Sequence, residues 1–143
     1  MTIESTGRAD PPRSRDLRVL HVSEGAGTPA VLLGPYRIES LIPPDQEAAV
    51  TAYRVRIEPH QRTAVSYHLV AEELYYVLSG NAAAVLDGKE YQLRAGDFLR
   101  LLPGVRHGFV TGAEPLVMLD IHTPGSRPDR DVYFEGETPP GFG

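Results

Sequence analysis

The sequence predicts an all-β protein built as a single domain. Apolar and polar residues alternate in several short stretches, which is the pattern of a β-strand with one buried face. The 143 residues include 14 glycines and 13 prolines, a proportion that favours turns and short strands over helices. A chain of this length can bury one sizeable core, so we expect one domain.

The two ends of the chain differ from its centre. Residues 1–16 mix small, polar and charged side chains and are expected to be disordered or loosely attached. Residues 124–143 are rich in proline and glycine and form a predicted tail, in which Tyr133 and Phe134 are expected to dock on the folded domain or on a partner. The folded domain is therefore predicted over residues 17–123.

The strands of this domain can be placed from alternation and from turn residues. Tyr53, Val55 and Ile57 alternate with charged residues, which predicts one dry face and one wet face. Asp87-Gly88 separates two runs and predicts a two-residue hairpin. Leu116–His122 is mostly apolar and predicts a buried strand. Glycine and proline also separate three shorter predicted strands, at residues 17–22, 30–33 and 36–42.

The composition excludes several classes of function. A net charge of -5, with arginines scattered along the chain, provides no basic surface for nucleic acid. The absence of cysteine rules out disulfides, thiolate metal sites and a cysteine nucleophile. No apolar run approaches the roughly 18 to 20 residues of a membrane helix, and the polar N-terminus does not resemble a secretory signal. We therefore expect a cytoplasmic protein with no nucleic-acid or membrane partner.

Two stretches carry residues that suit a metal site. The first, residues 66–80, reads Ser66-Tyr67-His68, then four residues, Glu73, six residues and Gly80. The second, residues 96–111, reads Gly96, then Leu102-Pro103-Gly104, then His107 and Thr111. Two imidazoles and one carboxylate are the ligand set of a divalent metal with open coordination positions.

These stretches resemble the two motifs of the cupin superfamily. The first cupin motif reads His-x-His, three or four residues, Glu, six residues, Gly, and the second reads Gly, five residues, Pro-x-Gly, two residues, His, three residues, Asn. The departures are Ser66 for the first His, Leu102 for the first Pro and Thr111 for Asn. The resemblance implies a double-stranded β-helix, the cupin or jelly-roll barrel, with a metal inside.

The resemblance implies that His68, Glu73 and His107 bind one divalent metal ion per chain. Iron(II) is the first candidate, and manganese, nickel and zinc remain open because the same ligands bind them all. His68 and Glu73 are five residues apart, so on one straight strand they would face opposite sides. A turn or bulge between them is therefore required.

Three further residues are candidates for catalysis. Ser66 shares a strand face with His68 and is interpreted as a hydroxyl near the metal or the substrate. Tyr75 shares the inner face with Glu73 and is a candidate wall residue. His122 shares its parity with Asp120, so it is either a substrate-facing acid or base, or a hydrogen-bonded residue at the rim; both interpretations stay open.

The leading hypothesis for function is a metal-dependent oxidoreductase that resembles cupin oxygenases, acting as a dioxygenase on a small oxygenated organic substrate. Three protein ligands on a six-coordinate metal would leave about three open positions, which suits a substrate together with dioxygen. Alternatives are a redox-neutral isomerase, cyclase or lyase, and a non-catalytic small-molecule-binding protein. The extra strands before residue 43 predict a homodimer, because small cupins commonly pair through such strands.

Overall fold

The computed structural model describes residues 18–25, 29–128 and 130–140. Within these ranges it contains eleven β-strands, one short 3-10 helix at Pro44–Gln46 and no α-helix. This confirms the predicted all-β class. The strands are β1 (Val31–Leu33), β2 (Tyr36–Ser40), β3 (Thr51–Ile57), β4 (Ser66–Tyr67), β5 (Glu72–Ser79), β6 (Asn81–Leu86), β7 (Lys89–Arg94), β8 (Phe98–Leu101), β9 (His107–Thr111), β10 (Leu116–Thr123) and β11 (Tyr133–Phe134).

The strands form two antiparallel sheets that enclose one core. The six-stranded sheet has the order β1-β2-β3-β10-β5-β8, and the five-stranded sheet has the order β11-β4-β9-β6-β7. Strands distant in sequence are therefore neighbours, as when β10 lies between β3 and β5. This interleaving of two halves of the chain is the jelly-roll arrangement predicted from the two motifs.

Strand β10 determines where polar and apolar residues meet inside the barrel. Three of its inward residues each face one residue of β3 and one of β5. The three rows that matter for the site are Thr51–His122–Glu73, Tyr53–Asp120–Tyr75 and Val55–Met118–Val77. One end of the barrel is thus lined by titratable groups, and the other end is an apolar core.

Most of the expected local features are present. The hairpin at Asp87-Gly88 joins β6 to β7, with both residues at positive φ, and a break separates β4 from β5 between His68 and Glu73. The strand predicted at residues 17–22 is wrong over the described part, because residues 18–22 form no strand and expose Val19. Residues 1–16 lie outside the described residues.

The chain after Thr123 returns to the barrel. Strand β11 pairs with β4, and the ring of Tyr133 stacks on that of Tyr67 with 5.6 Å between centroids. Residues 126–128, Val132 and Phe134 thereby line the pocket at the end of the barrel that contains the titratable rows. None of the helical segments in the described part of the chain is long and apolar enough to cross a membrane.

Gly80, at the turn between β5 and β6, is expected to be the glycine least tolerant of substitution. It has φ +88, and a Cβ there would lie 2.0 Å from the carbonyl oxygen of Pro115. Gly80→Ala should lower the free energy of unfolding by about 3 kcal/mol or more, since backbone strain and a backbone clash add. Gly88→Ala, at φ +80 with no atom within 4 Å of its Cβ, should cost only about 1 kcal/mol. Urea denaturation measures both, and equal losses would contradict the prediction.

Candidate functional site

The buried carboxylate of Glu73 lies at the centre of the candidate site. Its side chain is 2% exposed, and three histidine rings point their Nε2 atoms at it. The Nε2 atoms of His68 and His107 lie 3.1 and 3.0 Å from Oε1 of Glu73. The Nε2 atom of His122 lies 2.9 Å from Oε2. The ligand atoms form two overlapping triads, His68–Glu73–His107 and Glu73–Asp120–His122.

The sheets bring these residues together from four separate parts of the chain. His122 and Glu73 face each other in the register of β10 and β5. His107 begins β9 in the opposite sheet and pairs with Ser66 at the end of the barrel. His68 follows β4, and the irregular residues 69–71 then reverse the inward parity so that Glu73 also points inward.

The outer ring nitrogens determine which tautomers His68 and His107 adopt. Nδ1 of His68 contacts the backbone carbonyl of Asp131, and Nδ1 of His107 lies 3.1 Å from the carbonyl of Val105. A carbonyl can only accept, so each Nδ1 donates its proton. In the neutral rings, Nε2 therefore carries a lone pair directed at Glu73.

The tautomer of His122 is determined by the hydroxyl group of Thr51. Its Nδ1 lies 3.4 Å from Oγ1 of Thr51. That hydroxyl donates to the carbonyl of Ser126 at 2.9 Å, so its remaining lone pairs face the ring and the N–H of Ser126. Nδ1 of His122 is then the donor, and its Nε2 lone pair faces Glu73 as well.

Three imidazole lone pairs and a carboxylate facing one another repel unless a cation lies between them. Protons on the rings could supply that charge, and so could a metal ion. The observed nitrogen–oxygen distances of 2.9 to 3.1 Å are close enough for either kind of cation to join the rings to the carboxylate. The donor set therefore fits a divalent metal, and the buried His and Glu side chains could hold one.

The charges of the cluster shift the pKa values of its acids in opposite directions. Burial disfavours ionised Glu73, but the imidazoles of His122 and His107 outweigh it and hold its pKa well below the usual value. Burial also opposes protonation of His68, yet Glu73 and the Asp131 carbonyl raise its pKa. Asp120 is different: burial and the negative charge of Glu73 raise its pKa well above the usual range.

The raised pKa favours the protonated form of Asp120 beside the cluster. Its Oδ1 lies 3.8 Å from Nε2 of His122 and has no hydrogen-bond partner among the described residues. Burial and the neighbouring carboxylates also raise the pKa of the Tyr75 phenol, and burial raises that of Tyr53 to about 12. Both hydroxyls remain protonated at neutral pH.

A pocket with a cavity volume of about 70 Å³ has Glu73 in its lining. Its floor is polar, and its upper wall is largely apolar and comes from β2, β3 and the C-terminal residues. The lining residues are Tyr36, Ile38, Tyr53, Val55, Ser66, His68, Glu73, Tyr75, Asp120, His122, Ser126, Arg127, Pro128, Val132 and Phe134.

The structure brings the predicted ligands His68, Glu73 and His107 together. Ser66 lines the pocket with its hydroxyl 3.4 Å from Nε2 of His107, and Tyr75 and His122 line it too. Asp120 was noted in the sequence only for its parity with His122, although an acid on a buried strand face is itself a signal of a site. Thr51, Ser126 and Asp131 were missed, because their contacts to the histidines cross some 60 to 70 residues of sequence.

Comparison with known proteins identifies relatives by fold. No curated protein matches this sequence. Pac13 of Streptomyces, a nucleoside dehydratase, matches with a TM-score of 0.62 and 17% identity over 74% of this chain and 82% of its own. A sugar phosphate isomerase of the cupin superfamily from Silicibacter pomeroyi matches with a TM-score of 0.66 and 18% identity over 82% of each chain. KdgF from Halomonas sp. matches with a TM-score of 0.59 and 18% identity over 68% of this chain and 84% of its own.

The family model described as a cupin domain matches residues 53–122, which include β3, both motifs and β10 up to His122. This match and the interleaved strand order confirm the resemblance read from the two motifs: the chain carries a cupin domain over residues 53–122.

Proposed function

We propose that this chain is a divalent-metal-dependent enzyme that catalyses a redox-neutral isomerisation or elimination on a small oxygenated substrate. The observation that carries the proposal is the position of Asp120. Its carboxyl group lies on the pocket wall and borders the Glu73 cluster, and its raised pKa favours the protonated form that can donate a proton. A proton donor beside a candidate metal site suits reactions that move a proton and break a C–O bond.

One ion per chain would be held by His68, Glu73 and His107. His122, which belongs to the second triad and faces the other oxygen of Glu73, would supply a fourth donor after a shift of its ring. Ser66 stands where the family has its first histidine, and its hydroxyl is a weaker donor than imidazole. His122 reaches Glu73 from β10 and compensates for that change. Iron(II), manganese, nickel and zinc all suit three imidazoles and a carboxylate, so the metal is left open.

The bound ion would act as a Lewis acid that polarises a carbonyl or hydroxyl oxygen of the substrate. Asp120 donates its carboxyl proton to a leaving hydroxyl group, which departs as water. The resulting carboxylate then takes a proton from the neighbouring carbon, and Asp120 ends in the state in which it began. The phenol of Tyr75 lies on the same row and donates a hydrogen bond to a substrate oxygen.

The relatives by fold support this choice of reaction class. A nucleoside dehydratase and a sugar phosphate isomerase both carry out redox-neutral chemistry on oxygen-rich substrates. At 17% and 18% identity they share the fold with this chain, so the substrate class is our proposal.

A dioxygenase is the second candidate. The observation that favours it is the His68–Glu73–His107 triad, because two histidines and one carboxylate suit non-haem iron(II) oxygenases. A fourth donor at His122 would reduce the open positions from about three to about two, which weakens the argument made from the sequence. Oxygen consumption that depends on substrate and iron(II) would favour this candidate over the first.

The metal site predicts a specific pattern of variants. Chelator-treated protein without an affinity tag should take up about one equivalent of Co²⁺ per chain, read from its visible absorption. His107→Ala and His122→Ala should each weaken binding at least tenfold, because each removes a direct donor. His21→Ala, which alters an exposed histidine, should bind like the wild type. Unchanged affinity in His122→Ala would remove that residue from the site.

The reaction class can be tested with a panel of sugar phosphates, nucleosides and uronic acids followed by ¹H NMR in D₂O. Isomerisation or elimination should appear as new signals and as deuterium incorporation at the reacting carbon. Asp120→Asn should lower kcat by about 10² to 10⁴ while it keeps the metal. Asp45→Asn, at an exposed position in the 3-10 helix, is the control. Wild-type turnover by Asp120→Asn would contradict its role.

The homodimer is also proposed, through strand β1. This strand ends the six-stranded sheet, and its Val31 and Leu32 are 53% and 71% exposed. An exposed apolar edge strand is a surface that pairs with another strand. Light scattering at tens of micromolar should give twice the 15.7 kDa chain mass, and Leu32→Glu should give the monomer. Tyr91→Glu, on β7 at an edge of the other sheet, should leave the dimer intact; a monomeric wild type would contradict the proposal.

A further inference from the structure

The residues after β10 fold back over the break that carries His68. There the carboxylate of Asp131 accepts hydrogen bonds from three consecutive backbone N–H groups. Oδ1 lies 2.9 Å from the nitrogen of Leu69 and 3.2 Å from that of Val70, and Oδ2 lies 3.2 Å from Val70 and 2.9 Å from Ala71. Three successive N–H groups that converge in this way form an anion-binding concavity, here filled by the chain's own carboxylate.

The same residue also contacts the candidate ligand. The backbone carbonyl of Asp131 accepts the Nδ1 proton of His68, while the hydroxyl of Ser126 lies 3.4 Å from the same nitrogen. Asp131 has φ +64, a left-handed conformation that aspartate and asparagine adopt more readily than most residues. One residue thus holds both the ring of His68 and the three residues that follow it.

Ala71 is also held by burial of its side chain, but Leu69 and Val70 have little besides Asp131 to hold them in place. They belong to no strand, and the side chains of Leu69 and Val70 are 56% and 63% exposed. The backbone of His68 makes a further hydrogen bond, in which its carbonyl accepts the N–H of Gly104 at 2.6 Å. The orientation of the His68 ring therefore depends on a residue 63 positions later in the chain.

We propose that Asp131 is the positioning residue of the site: its carboxylate fixes residues 69–71, and its carbonyl keeps the Nε2 lone pair of His68 directed at Glu73. The effect of Asp131 on metal affinity rests on the proposed metal site. The residues after Thr123 then position a candidate metal ligand in addition to lining the pocket.

Two substitutions separate this role from general stability. Asp131→Gly keeps the positive φ and the backbone carbonyl but removes the carboxylate, and Asp131→Asn keeps one acceptor oxygen. Asp97→Asn is the matched control, because its carboxylate also accepts a backbone N–H, that of Arg94 at 3.0 Å, in a turn of another part of the barrel. The readouts are Co²⁺ affinity and, in metal-free protein, the His68 tautomer from long-range ¹H–¹⁵N correlation.

Asp131→Gly should weaken Co²⁺ binding about tenfold to a hundredfold and should shift His68 from the Nδ1–H form to a mixture of tautomers. Asp131→Asn should lie between this variant and the wild type, and Asp97→Asn should match the wild type in both readouts. If the wild type binds no Co²⁺, the metal site fails, and the tautomer shift alone supports the positioning role. An unchanged His68 tautomer in Asp131→Gly overturns the inference, and so does global unfolding of both Asp131 variants.

Discussion

The burial of one carboxylate against three imidazoles is the constraint on which the rest of this structure depends. Glu73 is almost fully buried, and a buried anion is costly unless positive charge compensates it. The rings of His68, His107 and His122 can provide that charge only if protons or a metal ion join them to the carboxylate. The backbone carbonyls behind His68 and His107 direct their lone pairs inward, where they can bind either a proton or a metal ion.

The barrel accommodates this polar cluster by dividing its interior along β10. The rows that contain His122 and Asp120 meet the pocket, whereas Met118 and Leu116 are fully buried in the apolar core. Alternation along a single strand places all four residues on the same face. The apolar rows contribute the hydrophobic stabilisation that offsets the burial of acids and imidazoles at the other end.

Much of the fold could be predicted because its signals are local. The alternation in β3, the Asp87-Gly88 turn and the paired motif spacing each depend on residues close together in the sequence. The odd separation of His68 and Glu73 likewise required the break that the structure contains. The strand predicted at residues 17–22 was wrong over residues 18–22, because alternation does not create a partner strand and Val19 has none to bury it in the described part of the chain.

The parts of the site that could not be predicted are those that depend on register between distant strands. Because His122 lies two residues after Asp120 on one strand, the sequence placed both on the same face. Only the pairing of His122 with Glu73 gives it a role in the cluster. The importance of Asp120 depends on the same register, since its raised pKa comes from burial and from Glu73. No periodicity connects Asp131 with the N–H groups it binds, because they lie 60 to 62 residues away.

The most direct test of this account is diffraction at the metal absorption edge from crystals grown with Mn²⁺ or Co²⁺. The account predicts a single anomalous peak per chain, at bonding distance from a carboxylate oxygen of Glu73 and from Nε2 of His68, His107 and His122. A metal ion bonded to the other three residues but not to His122 would limit the site to the triad predicted from the sequence. A metal bound elsewhere, or a Glu73 cluster compensated only by protonated histidines, would contradict the central claim.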